Sequence, residues 1–176
     1  DGLYMISNSE LNNITQNTFV FSQIGINIVA NNNTIDNNNV SLNSNQGIYA
    51  RSSEYNNITN NNANGSSYGI YLRWSHYNTI YNNHVSLGTR GFYLQGGYNN
   101  TFFNNLINNN TGSGIETNSR NNFYINNQIN YNNYGITFIY GSSNITNNTI
   151  TNNNYDGILG SNLNDNYIIN NTTIFK

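Results

Sequence analysis

The stretch GIYLRWSHYNTIYNNHV, from Gly69 to Val85, decides how this chain is read. Ile70 and Leu72 alternate with Tyr71 and Arg73, the period-2 pattern of a short strand with one face turned inward. Ser75, Asn78, Ile80, the pair Asn82 and Asn83, and Val85 follow. Outward from this stretch, its opening glycine recurs before an apolar residue at Gly2, Gly25, Gly47, Gly69, Gly91, Gly114, Gly135 and Gly157, with successive spacings of 23, 22, 22, 22, 23, 21 and 22 residues. Such a period suits either a leucine-rich horseshoe or a parallel β-helix. The horseshoe needs regularly placed leucines, whereas this chain is rich in Ile, Tyr, Thr and Asn, so the β-helix is the better fit.

In a parallel β-helix the equivalent positions of successive coils stack at the strand spacing of roughly 4.8 Å. The inward pairs are then Ile48 and Ala50, Phe92 and Leu94, Ile115 and Thr117, and Ile136 and Phe138. A second strand supplies Ile58, Ile80, Phe102, Ile125, Ile145 and Ile168. Asparagine pairs recur at 60/61, 82/83, 104/105, 126/127, 147/148 and 170/171, so that Asn lies over Asn. Stacked Asn amides can form a hydrogen-bonded ladder, and Asn tolerates the left-handed conformation that a sharp corner needs. Proline is absent, as suits coils whose backbone N–H groups must pair above or below. The expected fold is all-β: a right-handed parallel β-helix of about eight coils, a single solenoid domain over residues 1–176.

Asparagine makes up about a quarter of the residues, a bias that by itself suggests disorder. The 14% aromatic content, the isoleucines and the strict spacing argue for order. Only 7% of residues are charged and the net charge is -2, so no basic field exists to gather nucleic acid. No apolar run reaches the roughly 20 residues of a membrane span, and there is no cysteine. No N-terminal secretion signal is read, so any such signal is expected to have been removed or to lie outside this sequence. Neither a capping helix nor a charged terminal repeat is visible, which leaves two expectations for the ends: a segment of a longer protein, or end-to-end stacking with other copies into a filament.

The coil pattern, Gly-Ile-x-Leu, a Ser, Asn-x-Ile and Asn-Asn, resembles the parallel β-helix repeat family of pectin-lyase-like solenoids over essentially the whole chain. That family includes polysaccharide lyases, alginate epimerases, periplasmic maturation proteins of nitrous oxide reductase and adhesin-like surface proteins of methanogenic archaea. The Asn-rich, Lys-poor, Cys-free style looks most like the last group. The resemblance implies the fold and an extracellular or cell-surface location; unrelated activities share this scaffold.

Enzymes of this fold class work on the outer face of a strand, and two outward columns stand out there. The first runs Tyr49, Tyr71, Tyr93, Glu116, and the second Arg51, Arg73, Gln95, Asn118. Stacked tyrosines offer faces for sugar rings, and arginines beside them can hold carboxylates or hydroxyls in a bidentate manner. The same tyrosines can equally be a cross-strand ladder that stabilises the sheet. Glu54 and His76 share one repeat offset with Trp74 nearby, a pair capable of acid/base work if both reach a substrate. The seven acids are scattered over different offsets, so neither a bound metal nor a cofactor is expected. Among the Asn-x-Ser/Thr sequons, Asn64 beside Gly65 is the candidate for N-glycosylation. These features point to a non-catalytic structural or adhesive surface module, not an enzyme, whose partners are other copies of itself or cell-surface polysaccharide, because even coil spacing leaves no room for groove-forming loops. The alternative is a carbohydrate-active enzyme, a lyase or epimerase, using Arg51, Arg73, Glu116 and His76.

Overall fold

The computed structural model describes residues 1–139, 141–161 and 165–174. Among these residues the chain forms short parallel strands and no helix. The first sheet stacks eight strands: Leu3–Met5, Ile24–Ile28, Gln46–Arg51, Tyr68–Arg73, Arg90–Gln95, Ser113–Thr117, Tyr134–Phe138 and Ile158–Gly160. A second eight-stranded sheet runs from Asn13–Thr15 to Tyr167–Ile169. A third holds five strands, from His84–Ser86 to Thr172–Ile174, and single bridges Thr18–Asn39, Asn39–Asn62 and Asn62–His84 carry its line into the earlier coils. The solenoid is therefore three-sided. Its third side is carried by Val85, Ile107, Ile129 and Ile150, in register and buried.

Burial follows the period-2 reading. Ile48, Ala50, Phe92, Leu94, Ile115, Thr117, Ile136 and Phe138 are all buried between the sheets. The second sheet requires one correction: the register Phe102 to Tyr124 to Ile145 puts Tyr124 inward and leaves Ile125 half-buried on the outer side. The sequence misleads here because Phe123, Tyr124 and Ile125 are all apolar, so alternation cannot choose a face. Phe102 and Tyr124 stack at 5.2 Å between ring centroids, and Phe138 meets Tyr124 edge-on at 6.1 Å. Ile168, the inward position of the final strand in this sheet, is half exposed.

The asparagine pairs divide into two jobs. The first residue of each pair adopts the left-handed conformation, with φ of 53° at Asn60, 54° at Asn82, Asn104 and Asn126, and 56° at Asn147. Asparagine is among the few non-glycine residues that enter this region readily. The second residue, from Asn61 to Asn148, points inward and is buried. Asn105 Oδ1 accepts from the backbone N–H of Asn83 at 2.9 Å and from its Nδ2 at 3.1 Å, while Asn105 Nδ2 donates to the Ile80 carbonyl at 2.9 Å and to Asn127 Oδ1 at 3.0 Å. Two further ladders occupy the other corners: Asn56, Asn78, Asn100 and Asn122 in one, Asn110, Asn132 and Asn153 in the other.

The repeating glycine is required by space. A Cβ on Gly91 would lie 2.4 Å from Ile107 Cγ2 and 2.5 Å from the Gly114 carbonyl oxygen, because here the third side meets the first at its tightest point.

These roles predict opposite outcomes for adjacent residues. Asn105→Ala strips partners from the Asn83 amides and the Ile80 carbonyl, and is expected to cost about 3 kcal/mol or more. Asn104→Gly, at a left-handed position, is expected to stay within about 1 kcal/mol of the parent. Thermal melting followed by circular dichroism checks both.

Candidate functional site

The outer face of the first sheet is set by register. Tyr49, Tyr71, Tyr93 and Glu116 lie directly above one another, as do Arg51, Arg73 and Gln95. The ring centroids of Tyr49 and Tyr71 are 4.9 Å apart and those of Tyr71 and Tyr93 4.8 Å, close to the coil spacing itself. The Tyr71 hydroxyl donates to Gln95 Oε1, linking the two columns. Arg73 donates to the Tyr49 hydroxyl, and that bond, with the surrounding phenols, raises its pKa above the ordinary arginine value.

Tyr68 and Arg90, not singled out from the sequence, complete this face. They occupy one register beside the tyrosine column. Tyr68 lies 5.5 Å from Tyr71 and 5.6 Å from Tyr93, and the Arg90 guanidinium sits over both Tyr68, at 5.4 Å, and Tyr93, at 5.2 Å. Arg90 Nε also donates to Glu116 Oε2 at 2.6 Å. Glu116 is therefore tied down by a neighbouring strand's arginine. The signal that could have found this pair is the coil alignment: Arg90 and Tyr68 each stand immediately before the repeating glycine, one residue ahead of the alternating strand positions.

Where the first sheet turns toward the second, the chain forms a groove of about 580 Å³. The left-handed corner residues there are Ser52, Trp74 and Gly96, with φ of 47°, 51° and 62°. Trp74 remains 55% exposed and, with Gly96, Gly97, His76, Tyr98 and Arg120, lines the groove. Glu54 and His76 are bridged in parallel, as their shared offset implies. His76 Nδ1 accepts from the Tyr98 backbone N–H at 3.1 Å, and its ring packs on the Tyr98 ring at 4.0 Å. With Nδ1 accepting, the neutral imidazole carries its proton on Nε2, so His76 is set to donate rather than to accept. The Tyr77 phenol raises the pKa of Tyr98.

Asn64 is half-buried. Its Nδ2 donates to Asn62 Oδ1, and its Oδ1 accepts from the Ser86 hydroxyl at 2.9 Å. Asn118 Oδ1 accepts from the Gly96 backbone N–H at 3.0 Å, making Asn118 a brace under the groove.

Burial, with the Tyr49 and Tyr93 phenols adding to it, pushes the Tyr71 hydroxyl up to about 12 from 10. The unfolded chain then loses its proton near pH 10 while the folded chain keeps it, so this contribution to stability is full below pH 10 and declines between about pH 10 and 12. Ultraviolet titration of parent against Tyr71→Phe is expected to show one late-titrating phenol missing in the variant.

The chain superposes on the crystal structure of the periplasmic alginate epimerase AlgG with a TM-score of 0.90 at 18% identity, covering 98% of this chain and 47% of that one. A single-residue variant of that enzyme gives 0.89 at 18% identity over the same shares, and a double variant 0.82 at 18% over 96% of this chain and 47% of that one. The chain thus spans about half the length of these structures. No curated protein matches it in sequence. The expectation that the chain is not an enzyme is overturned by the match to AlgG, an enzyme on this architecture. The physical argument behind it fails too: even coil spacing leaves no long loops, yet the side chains at one corner frame a groove without them. Residues 1–146 match the family of right-handed β-helix regions, and the chain belongs to that family.

Proposed function

We propose that this protein is a carbohydrate-active enzyme that takes an acidic polysaccharide across the outer face of the first sheet and into the adjoining corner groove. The observation that carries the reading is the placement of arginines. The chain has four, and among the described residues only Arg90 is ion-paired. Arg51 and Arg73 lie directly opposite one another on neighbouring strands, a like-charge arrangement that costs stability in a sheet, and Arg120 lines the groove. Unneutralised guanidiniums beside a tyrosine stack suit a polyanion whose sugar rings are apolar on their faces. The likeness to an alginate epimerase supports a polyuronate in particular, and the periplasmic setting of that enzyme supports an extracellular or envelope location.

Lyases and epimerases of polyuronates share one opening step. The bond from C5 to hydrogen, α to the carboxylate, breaks: the proton passes to a base, for which the Glu54 carboxylate in register with His76 is placed, and the electron pair moves into the substrate's carboxylate group. Arginine beside that carboxylate stabilises the developing charge. His76, with Nε2–H directed by its bond to the Tyr98 backbone, serves as donor to an oxygen of the sugar, and the Tyr98 ring packs against it at 4.0 Å.

Incubation with alginate in D2O reports either outcome of that step, since both pass through loss of the C5 proton. The expected result is deuterium at C5 or an unsaturated product, with the rate lowered roughly 10²-fold in Arg120→Ala, whose guanidinium lines the groove with His76. Arg51→Ala, which relieves the like-charge register, is expected to weaken binding without lowering the melting temperature. Absence of exchange, elimination and binding with the parent protein overturns the reading.

A further inference from the structure

The sequence contains a single tryptophan, Trp74, and the structure gives its indole a seat that only glycine can provide. A Cβ on Gly96, the corner residue one coil on, would lie 2.2 Å from the indole Cζ3 and 2.4 Å from Cε3. The six-membered ring therefore rests directly on the Gly96 backbone. Gly97, with φ of 151°, is equally bare, since a Cβ there would meet the Ser75 carbonyl oxygen at 2.4 Å. Supported beneath by backbone, Trp74 remains 55% exposed to the groove. Left-handed φ at a bulky residue costs about 1 to 2 kcal/mol, and the left-handed residues of the adjacent coils in this column are the small Ser52 and Gly96. The coil stack does not call for an indole here. Placed on a glycine pedestal, the ring leaves an apolar plane open beside three polar groups: His76 with Nε2–H, the exposed phenol of Tyr98, and Arg120 from the following coil.

We infer that this corner is a subsite for one pyranose unit: the sugar's C–H face lies on the Trp74 indole, its polar edge meets His76 and Arg120, and Gly96 with Gly97 leaves the floor clear. The inference rests on the carbohydrate reading above and deepens it, because it names the residue on which the sugar beside His76 lies. A flat indole selects a ring with an unbroken C–H face, and Arg120 favours a charged substituent over a neutral one. Trp74 is then the specificity-determining residue and the tyrosine column holds the neighbouring units.

Because Trp74 is the sole tryptophan, its fluorescence reports this subsite without a label. Size-defined alginate oligosaccharides are titrated into the full chain, with binding followed in parallel by calorimetry. The expected result is a saturable change in Trp74 emission whose midpoint matches the calorimetric affinity, and an affinity about 10-fold weaker in Trp74→Ala, measured by calorimetry. Gly96→Ala, which displaces the indole, is expected to shift the emission of the free protein and weaken binding likewise. Circular dichroism melting of both variants confirms that the coils remain stacked. Calorimetric binding with unchanged Trp74 emission, or undiminished affinity in Trp74→Ala, overturns the subsite while leaving the carbohydrate reading intact. Absence of binding and of turnover with the parent overturns both.

Discussion

Every coil of this chain is held by its neighbours alone, and what fixes one coil above the next is in-register parallel pairing reinforced by buried asparagine. A one-residue slip would turn each inward side chain outward. It would also separate Asn83 from Asn105 and Asn105 from Asn127, whose bonds of 2.9 to 3.1 Å run through the interior, where an unpaired amide is costly. The ladder amide also satisfies carbonyls left over at the corners, as Asn105 does for Ile80 and Asn127 for Phe102. Register, corner geometry and backbone satisfaction are therefore one interaction seen three ways. The apolar stacks fill the space between the ladders; they add burial but little choice of register, since Ile would pack on Ile one coil further along.

That dependence explains how much of the fold can be read in advance. Glycine spacing gives the coil length, and the alternation at Ile70 to Arg73 gives the inward face. Asn82 and Asn83 mark a corner, but residue type alone does not tell that the first is turned left-handed and the second buried, since asparagine suits both positions for different reasons. The third side was harder to see because each of its short strands has three residues and one inward position, such as Val85 or Ile107, which is too little for periodicity to act on. Tyr124 shows the same limit from the other direction: three apolar residues in a row carry no alternation, and only the register with Phe102 and Ile145 places it inside.

The candidate site was legible where it lies on a strand and obscure where it depends on a corner. Tyr49, Tyr71, Tyr93, Arg51 and Arg73 follow from counting along the repeat, and the structure stacks them as counted. Arg90 escaped because it stands just before the repeating glycine, yet it is the residue that neutralises Glu116 and covers two tyrosine faces. The groove escaped for a physical reason. A spacing argument assumes that a cleft needs extra chain, but here side-chain size at equivalent positions does the work: Trp74 builds a wall and Gly96 with Gly97 leaves a hollow beside it.

A solenoid makes this kind of variation informative. Since each coil solves the same packing problem, the residues of one column should be interchangeable wherever packing is all that matters. Departures that bring no packing gain then mark positions under another demand. The inward column Ile26, Ile48, Ile70, Phe92, Ile115 and Ile136 departs little, trading Ile for Phe once, where an aromatic contact with Phe102 fills the core. The corner column Ser52, Trp74, Gly96 departs widely, and its largest member is held open to solvent between two small neighbours. Arg51 opposite Arg73 likewise sets two like charges where a mixed pair would be more stable. Both departures lie on one edge of one sheet, and the stack itself gains from neither.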